Sequence, residues 1–262
     1  MDKEDLLRLQ ELRPIDDEFM RCLFRNNIPL AQLVLRIIIG RDDLQITECH
    51  TQEDMKRLSG SRSVCLDVYG TDSEKKKYDI EVQRASKGAR PYRARYHSSV
   101  MDVENLRAGQ EFEELPETYT IFITEEDFFR KGMPVYRIER VILDTESLFD
   151  DGEHILYVNG EYRGNSEIGR LMHDFNCSDA DDMYFRLMSE RTRHLKETRE
   201  GVEEVSAIVE EMCCEREMAA KRKIARTLIL MGEMSFDKIA ECTELPVHEI
   251  EKMSADEKRA LL

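Results

Sequence analysis

The chain has 262 residues, of which 41% are hydrophobic and 36% charged, with a formal net charge of -16. Length and apolar content suit one packed domain, or a core domain with a smaller helical one, and exclude wholesale disorder. The acidic balance argues against a general polyanion binder, but leaves room for a local basic groove or an acidic site that works through bound cations. The seven cysteines include no Cys-x-x-Cys pair and are odd in number, against a zinc ribbon or a disulfide framework. The N-terminal stretch is charged from Asp2 onward and no apolar run reaches the length of a membrane span. The expectation is a soluble, reduced, cytoplasmic protein with no membrane partner.

In chain order, Phe19, Leu23 and Phe24 fall at helical spacing. Leu30, Leu33, Val34, Ile37 and Ile38 repeat that spacing as far as Gly40, with Pro29 separating two helices. Ser63–Gly70 and Lys77–Arg84 then alternate with period two, placing Val64, Leu66 and Val68 on one face of the first segment and Tyr78, Ile80 and Val82 on one face of the second. They read as half-buried strands joined by a polar turn. A helix is expected over about Pro91–Gly109. Glu117–Phe129 reads as a strand running into a loop, and Pro134–Leu143 and His154–Gly160 as further strands. After Asn165 strand signals vanish. The predicted organisation is an α/β domain over 1–165 and a helical region over 166–262, without internal repeats.

The helical region ends in a helix-turn-helix texture: Ser235 is a candidate N-cap, and Pro246 opens a second helix bearing Val247, Ile250 and Met253. That second helix carries two Glu and one Lys over Pro246–Met253, poor for a major-groove reader, so a packing or dimerisation module is favoured over a DNA contact. Lys221, Arg222 and Lys223 upstream read as a solvated helix face.

The strand pair carries the chemistry. For an antiparallel hairpin centred on Glu74, partners sum to 148, so Asp67 falls opposite Glu81 with β-carbons roughly 4.5–5.5 Å apart. Cys65 then faces Gln83, and Tyr69 shares the Asp67 face. Two apposed carboxylates repel, and if buried they share a proton or hold a cation. Oxygen ligands at this spacing suit Mg²⁺ or Mn²⁺, which can activate water and offset charge on a phosphodiester. Gln83 points the same way and could orient the water. The plainer reading is a solvated outer face with charges by chance. The segment after the hairpin favours chemistry: residues 83–101 hold Arg84, Lys87, Arg90, Arg93, Arg95 and His97 with no acidic residue, interleaved with Tyr92 and Tyr96. Such a segment suits a phosphate backbone. Its plainer reading is a helix face paired to acidic surface elsewhere. The six histidines show no metal-ligand spacing, and no Gly-rich phosphate loop or Gly-x-Ser-x-Gly elbow is present, so no nucleotide cofactor is expected.

The order of helix, strand with Asp, turn, strand with Glu-x-Gln, basic Arg/Tyr helix and further strand resembles the PD-(D/E)XK nuclease superfamily. More closely, the chain resembles the PD-(D/E)XK nuclease family transposases, grouped with the recombination-promoting nuclease (Rpn) proteins. The likeness is strongest over "CLDVYGTDSEKKKYDIEVQRASKGARPYRARYHSSVMDVENLRAGQEFEELPETYTIFITEEDF" and "DGEHILYVNGEYRG", and extends from "DDEFMRCLF" to the C-terminal helices. It implies a restriction-endonuclease-like core, a mixed β-sheet flanked by helices, that cuts DNA with Mg²⁺ or Mn²⁺ in connection with transposition or recombination. By position, Asp67 and Glu81 are the metal-binding carboxylates, helped by the backbone carbonyl of Val82. Gln83 stands where the superfamily usually has Lys. Asp17, with Glu18 as its rival, completes the metal site. Arg93 and Tyr96 match the family's Arg/Tyr pattern, and with Arg84, Arg90 and Arg95 they would hold the DNA backbone. Gln83 cannot supply the positive charge of a lysine, which Arg93 or Arg95 could. Cutting both strands needs two sites, which makes a homodimer reasonable. The alternatives are a catalytically silent DNA-binding or scaffolding protein with the same fold, and a nuclease acting on RNA.

Overall fold

A computed structural model describes residues 3–55, 64–84 and 86–260. Ser63, the expected start of the first hairpin strand, lies outside the described residues, as do the side chains of Cys65 and Lys87. After α1 (Lys3–Glu11), the apolar spacing at 19–24 and 30–38 forms α2 (Asp17–Phe24) and α3 (Ile28–Ile39). Asn27 caps α3 by accepting from Leu30 N (3.3 Å), Pro29 sits in its first turn, and Gly40 ends it in the left-handed conformation (φ 80°). Both helices turn their apolar residues inward: Phe19, Leu23, Phe24, Leu30, Val34 and Ile38 are all essentially inaccessible.

The sheet comes next. Its strands are β1 (Ile46–Met55), β2 (Val64–Asp72), β3 (Lys77–Gln83), β4 (Thr118–Thr124), β5 (Val135–Ile138) and, after a separate ribbon of β6 (Val141–Ile142) and β7 (Ser147–Leu148), β8 (Glu153–Asn159). The spatial order is β1-β2-β3-β4-β8-β5. β1, β2 and β3 are antiparallel neighbours; β3, β4 and β8 run parallel; β5 is antiparallel to β8. The parallel step from β3 to β4 needs a crossover, supplied by α4 (Pro91–Asn105). This is the mixed, helix-flanked sheet expected.

Three details differ from the sequence reading. β1 was not expected: its residues are mostly polar, and an irregularity between Ile46 and Glu48 breaks the period-two pattern, as edge strands tolerate. The stretch 134–143 is not one strand, because β5 pairs with β8 whereas β6 departs into the ribbon. The hairpin strand β3 is not half-buried but buried on both faces, since it lies in the middle of six strands. One face is covered by α4: Ala94 clusters with Phe122 and Tyr157, Thr120 Oγ1 donates to Met101 Sδ (3.8 Å), and Tyr157 donates to Ala89 O (2.7 Å).

Beyond residue 165 the chain is helical: α5 (Glu167–Asn176), α6 (Arg186–Glu197), α7 (Arg199–Met231), α8 (Phe236–Thr243) and α9 (Val247–Ala260). α5 and α6 nevertheless pack on α2 and α3. The compact units therefore part not near residue 165 but within α7, the first unit running to Ser206 and the second from Ala207. In the first unit, Lys196 on α6 donates to the carbonyls of Gln10, Leu12 and Ser178 (2.6–2.8 Å), tying three segments together. In the second, Ala225, Ile239, Leu245 and Ile250 form the core, and Ser235 caps α8. The basic face of α7 is not simply solvated: Lys221 pairs with Glu244, Arg222 with Glu249 and Arg226 with Glu257. Acidic residues of the helix-turn-helix end are thus occupied in packing. No single helix among the described residues is long and apolar enough to cross a membrane. α2 and α3 pass only as a pair, bent by 111° and buried in the core.

Candidate active site

The turn between β2 and β3 sets the register. Asp72 Oδ1 accepts from Glu74 N (2.8 Å) and Lys76 N (2.9 Å), its Oδ2 accepts from Tyr78 OH (2.7 Å), and Lys75 takes the left-handed conformation (φ 69°). The ladder then runs Thr71–Lys77, Gly70–Tyr78, Tyr69–Asp79 and Val68–Ile80, each pair summing to 148. At the next step the main-chain ladder gives way to side chains. Asp67 N donates to Glu81 Oε1 (3.1 Å), and Val82 N donates to Asp67 Oδ2 (3.2 Å). The two carboxylates interlock where the strands part, each satisfying a backbone donor on the opposite strand. A strand residue presents its N–H and C=O to the same neighbour. Val82, whose N–H points to Asp67, therefore turns its carbonyl to that side as well.

A polar network lies beneath α4. Glu81 Oε2 accepts from Arg93 Nη2 (3.0 Å) and from Gln83 Nε2 (3.3 Å). Arg93 Nε also donates to His97 Nε2 (3.1 Å). A guanidinium has no lone pair to offer, so Nε2 is the acceptor and the imidazole proton sits on Nδ1, from which it is donated to Asp79 Oδ2 at 3.2 Å. His97 is therefore a neutral imidazole here. Asp79 and Glu81 are inaccessible and His97 nearly so, and Asp79 Oδ1 has no hydrogen-bond partner.

Burial dominates the electrostatics. It raises Asp67 well above the usual carboxylate range, with the charges of Glu81 and Asp17 adding to it. Asp79 is raised by burial and by Asp67. Glu81 is raised to about 7 by burial and Asp79, against the lowering pull of Arg93 and of the hydrogen bond from Asp67 N. Three carboxylates that resist ionisation share one small volume.

The structure brings Asp67, Glu81, Val82 and Gln83 together. Asp17, in the first turn of α2, is close enough for its charge to act on Asp67, and its carboxylate lies 3.7 Å from Arg21 Nε. The basic segment, by contrast, is dispersed. Arg93 enters the site. Arg84 is held by Asp16 (2.9 Å) and Glu125 (3.1 Å), both of which also bind Arg13. Arg90 is exposed at the start of α4. Arg95, two residues beyond Arg93 and so on another side of the helix, lies over the Tyr92 ring at 5.4 Å. Tyr96 is half-buried in a cluster with Leu66, Tyr69 and Met101. Sequence reasoning missed Asp79 and the role of His97. The signals were present: Asp79, Glu81 and Gln83 share one face by period two, and Arg93 and His97 share one by helical spacing. Gln83 is further confined by Gly88, where a β-carbon would fall 1.7 Å from Gln83 Oε1.

As to a metal, Asp67 and Glu81 offer hard oxygen donors, which fit Mg²⁺ or Mn²⁺, and Asp67 keeps partial exposure although Glu81 is buried. Asp79, Glu81 and His97 also lie within metal-ligating reach of one another. Both nitrogens of His97 are engaged, however, and that trio is sealed under α4.

A family model, PD-(D/E)XK nuclease family transposase, matches residues 26–185. The chain belongs to that family. The match takes in the hairpin, α4 and the rest of the sheet, but it begins after Asp17 and ends before the second unit, a narrower span than the resemblance suggested. No curated protein and no solved structure matches the chain. In this member of the family, the neutral amide of Gln83 and the cation of Arg93 meet at the same oxygen of Glu81.

Proposed function

We propose that the chain is a Mg²⁺- or Mn²⁺-dependent DNA endonuclease acting in transposition or recombination. The observation that carries this reading is the interlocked Asp67–Glu81 pair, set among carboxylates whose proton affinity is raised. A divalent cation would relieve that repulsion. Asp67, Glu81 and the Val82 carbonyl would hold the ion, with Asp17 completing the set. When bound, it would lower the pKa of water and offset charge on the phosphodiester. The chain's own groups do the rest. Gln83, held between Glu81 and Gly88, orients the attacking water through its amide. Arg93 is the cation nearest the carboxylates and takes the place of the superfamily lysine toward the phosphate. Arg90 and Arg95 contact the DNA backbone, Tyr96 supports the helix that carries them, and Arg84 braces the mouth of the site through Asp16 and Glu125. The activity belongs to the cytoplasm.

The test is cleavage of supercoiled plasmid with Mg²⁺ or Mn²⁺, wild type beside Asp67→Ala and Glu81→Ala, with DNA binding measured in parallel. Metal-dependent cutting lost in both variants supports the reading; equal cutting by all three refutes it. One observation favours a second reading, a catalytically silent DNA binder: Arg93 and Gln83 already occupy Glu81 Oε2. In that case binding is tight, indifferent to Mg²⁺ and unchanged by Glu81→Ala.

A further inference from the structure

Arg93 and His97 lie one turn apart on α4 and share one of its faces. The imidazole of His97 is a fixed post. Its Nδ1–H is donated to Asp79 Oδ2 at 3.2 Å, and its ring centre lies 5.9 Å from that of Phe122. Glu81 Oε1, 3.6 Å from Nδ1, is beyond hydrogen-bond reach. Donation to Asp79 also selects the tautomer: with the proton on Nδ1, Nε2 is bare and can accept from Arg93. A carboxyl and an imidazole are poor choices for packing alone, since apolar side chains would fill the space beneath α4 without burying polar atoms. Asp79 even keeps one oxygen, Oδ1, without a hydrogen-bond partner.

What the post holds is a flat fork. The Nε and Nη2 hydrogens of a guanidinium make up one edge of it. In Arg93 that edge is taken twice: Nε donates to His97 Nε2 (3.1 Å) and Nη2 to Glu81 Oε2 (3.0 Å). Two bonds along one edge fix the plane of the group as well as its position. With Glu81 alone, the guanidinium would turn about a single contact and the long side chain would regain rotamer freedom. Nη1 donates to no other described residue, and the side chain is partly exposed, so this end of the fork is left for an anion.

We propose that Asp79 and His97 are positioning residues that present Arg93, by its Nη1 end, to a phosphate oxygen of the DNA backbone. The proposal rests on the nuclease reading, in which Arg93 meets the phosphate, and adds what aims it. His97 is sealed beneath α4 and acts through Arg93. The plainer role, a satisfied core histidine, would make His97 matter for stability and leave the behaviour of Arg93 untouched.

The test joins heteronuclear NMR of the metal-free, DNA-free chain to fluorescence anisotropy with a fluorescein-labelled DNA duplex in EDTA, with circular dichroism to verify folding. In the wild type at neutral pH, the His97 nitrogens should report a proton on Nδ1 and none on Nε2, and the Arg93 Nε–H should exchange slowly with water. His97→Leu fills the space without an acceptor. It should bring that exchange to the rate of an exposed arginine and raise the DNA dissociation constant about 5-fold, the worth of one hydrogen bond. His97→Gln, whose amide oxygen can accept from Arg93 Nε, should restore both. In an Arg93→Gln background, His97→Leu should weaken binding no further. Fast Arg93 Nε–H exchange in the wild type, slow exchange that survives His97→Leu, a His97→Gln variant that restores neither property, or losses that add in the double variant would each overturn the assignment. The exchange measurement needs neither DNA nor cutting, so a chain that leaves plasmid intact fails the nuclease reading while the NMR result still decides whether His97 holds Arg93.

Discussion

Replacing Glu81 by Gln tests the electrostatic account of the site directly. Glu81 titrates near 7 in the folded chain, against 4.5 for an unperturbed glutamate. The folded state therefore keeps a proton that the unfolded chain releases throughout that interval. Raising the pH from 4.5 to about 7 then lowers stability, because the unfolded state binds fewer protons than the folded one. At about 1.4 kcal/mol per unit, ionising Glu81 costs the metal-free fold about 3 kcal/mol above pH 7, most of it appearing between pH 5 and pH 7. Gln keeps one acceptor oxygen, which serves Arg93 or Asp67 N but not both, and carries no charge to desolvate. Glu81→Gln should thus match the wild type near pH 4.5 and exceed it by about 3 kcal/mol at pH 8. Tyrosine fluorescence during urea unfolding is the appropriate assay: the chain has no tryptophan, and all nine tyrosines precede Ala207, so the signal reports the first unit alone. Adding millimolar Mn²⁺ at pH 8 should raise wild-type stability and leave Glu81→Gln unmoved. A wild type equally stable at pH 5 and pH 8, with no advantage for the Glu81→Gln variant at pH 8, would refute the reasoning. It would mean that Arg93 and the hydrogen bonds to Glu81 fully compensate the buried charge.

Other perturbations separate geometry from charge. Gly88→Ala places a methyl where the Gln83 amide now lies; the flexible amide moves aside, so the expected result is plasmid cutting reduced about as far as by Gln83→Ala, with a melting temperature close to wild type. Arg93→Gln removes the cation from Glu81 Oε2; the pH at which cutting reaches half its maximum should rise, and DNA should bind more weakly, as electrophoretic mobility shift would show. Lys196→Met leaves the carbonyls of Gln10, Leu12 and Ser178 without their donor; a loss of about 3 kcal/mol in urea unfolding is expected, with DNA binding per folded molecule retained.

How much the sequence disclosed depended on how local the determinant was. The hairpin register follows from the length and chemistry of the turn around Glu74, so the apposition of residues 67 and 81 was readable from spacing alone. The breakdown of the ladder at that pair was not, because it depends on two carboxylates capturing backbone donors across the strands. β1 escaped notice because an edge strand need bury little, and its bulge destroys alternation. Asp79 was hidden by an assumption about burial: on a solvated hairpin it is one more surface acid, whereas under α4 it needs His97. The basic segment looked like one surface because it was read along the chain. At 100° per residue Arg95 lies about 200° round the helix from Arg93, Arg90 is the N-cap ahead of the first turn, and of these three Arg93 pairs with Glu81.

That dispersal bears on how such a site can work without the superfamily lysine. A lysine on β3 would stay beside the carboxylates whether or not a cation was present. Arg93 instead reaches them from another element and shares Glu81 Oε2 with Gln83. On the proposed nuclease reading, Glu81 would share that oxygen between Arg93 and a bound cation, and the Arg93 guanidinium, 41% exposed, would be able to turn toward a phosphate. In the metal-free chain Arg93 stabilises the buried charge of Glu81. On this view Gln83 is not a weakened lysine. A second fixed cation at Glu81 would oppose both the metal and Arg93, whereas a neutral amide at the same oxygen leaves room for both.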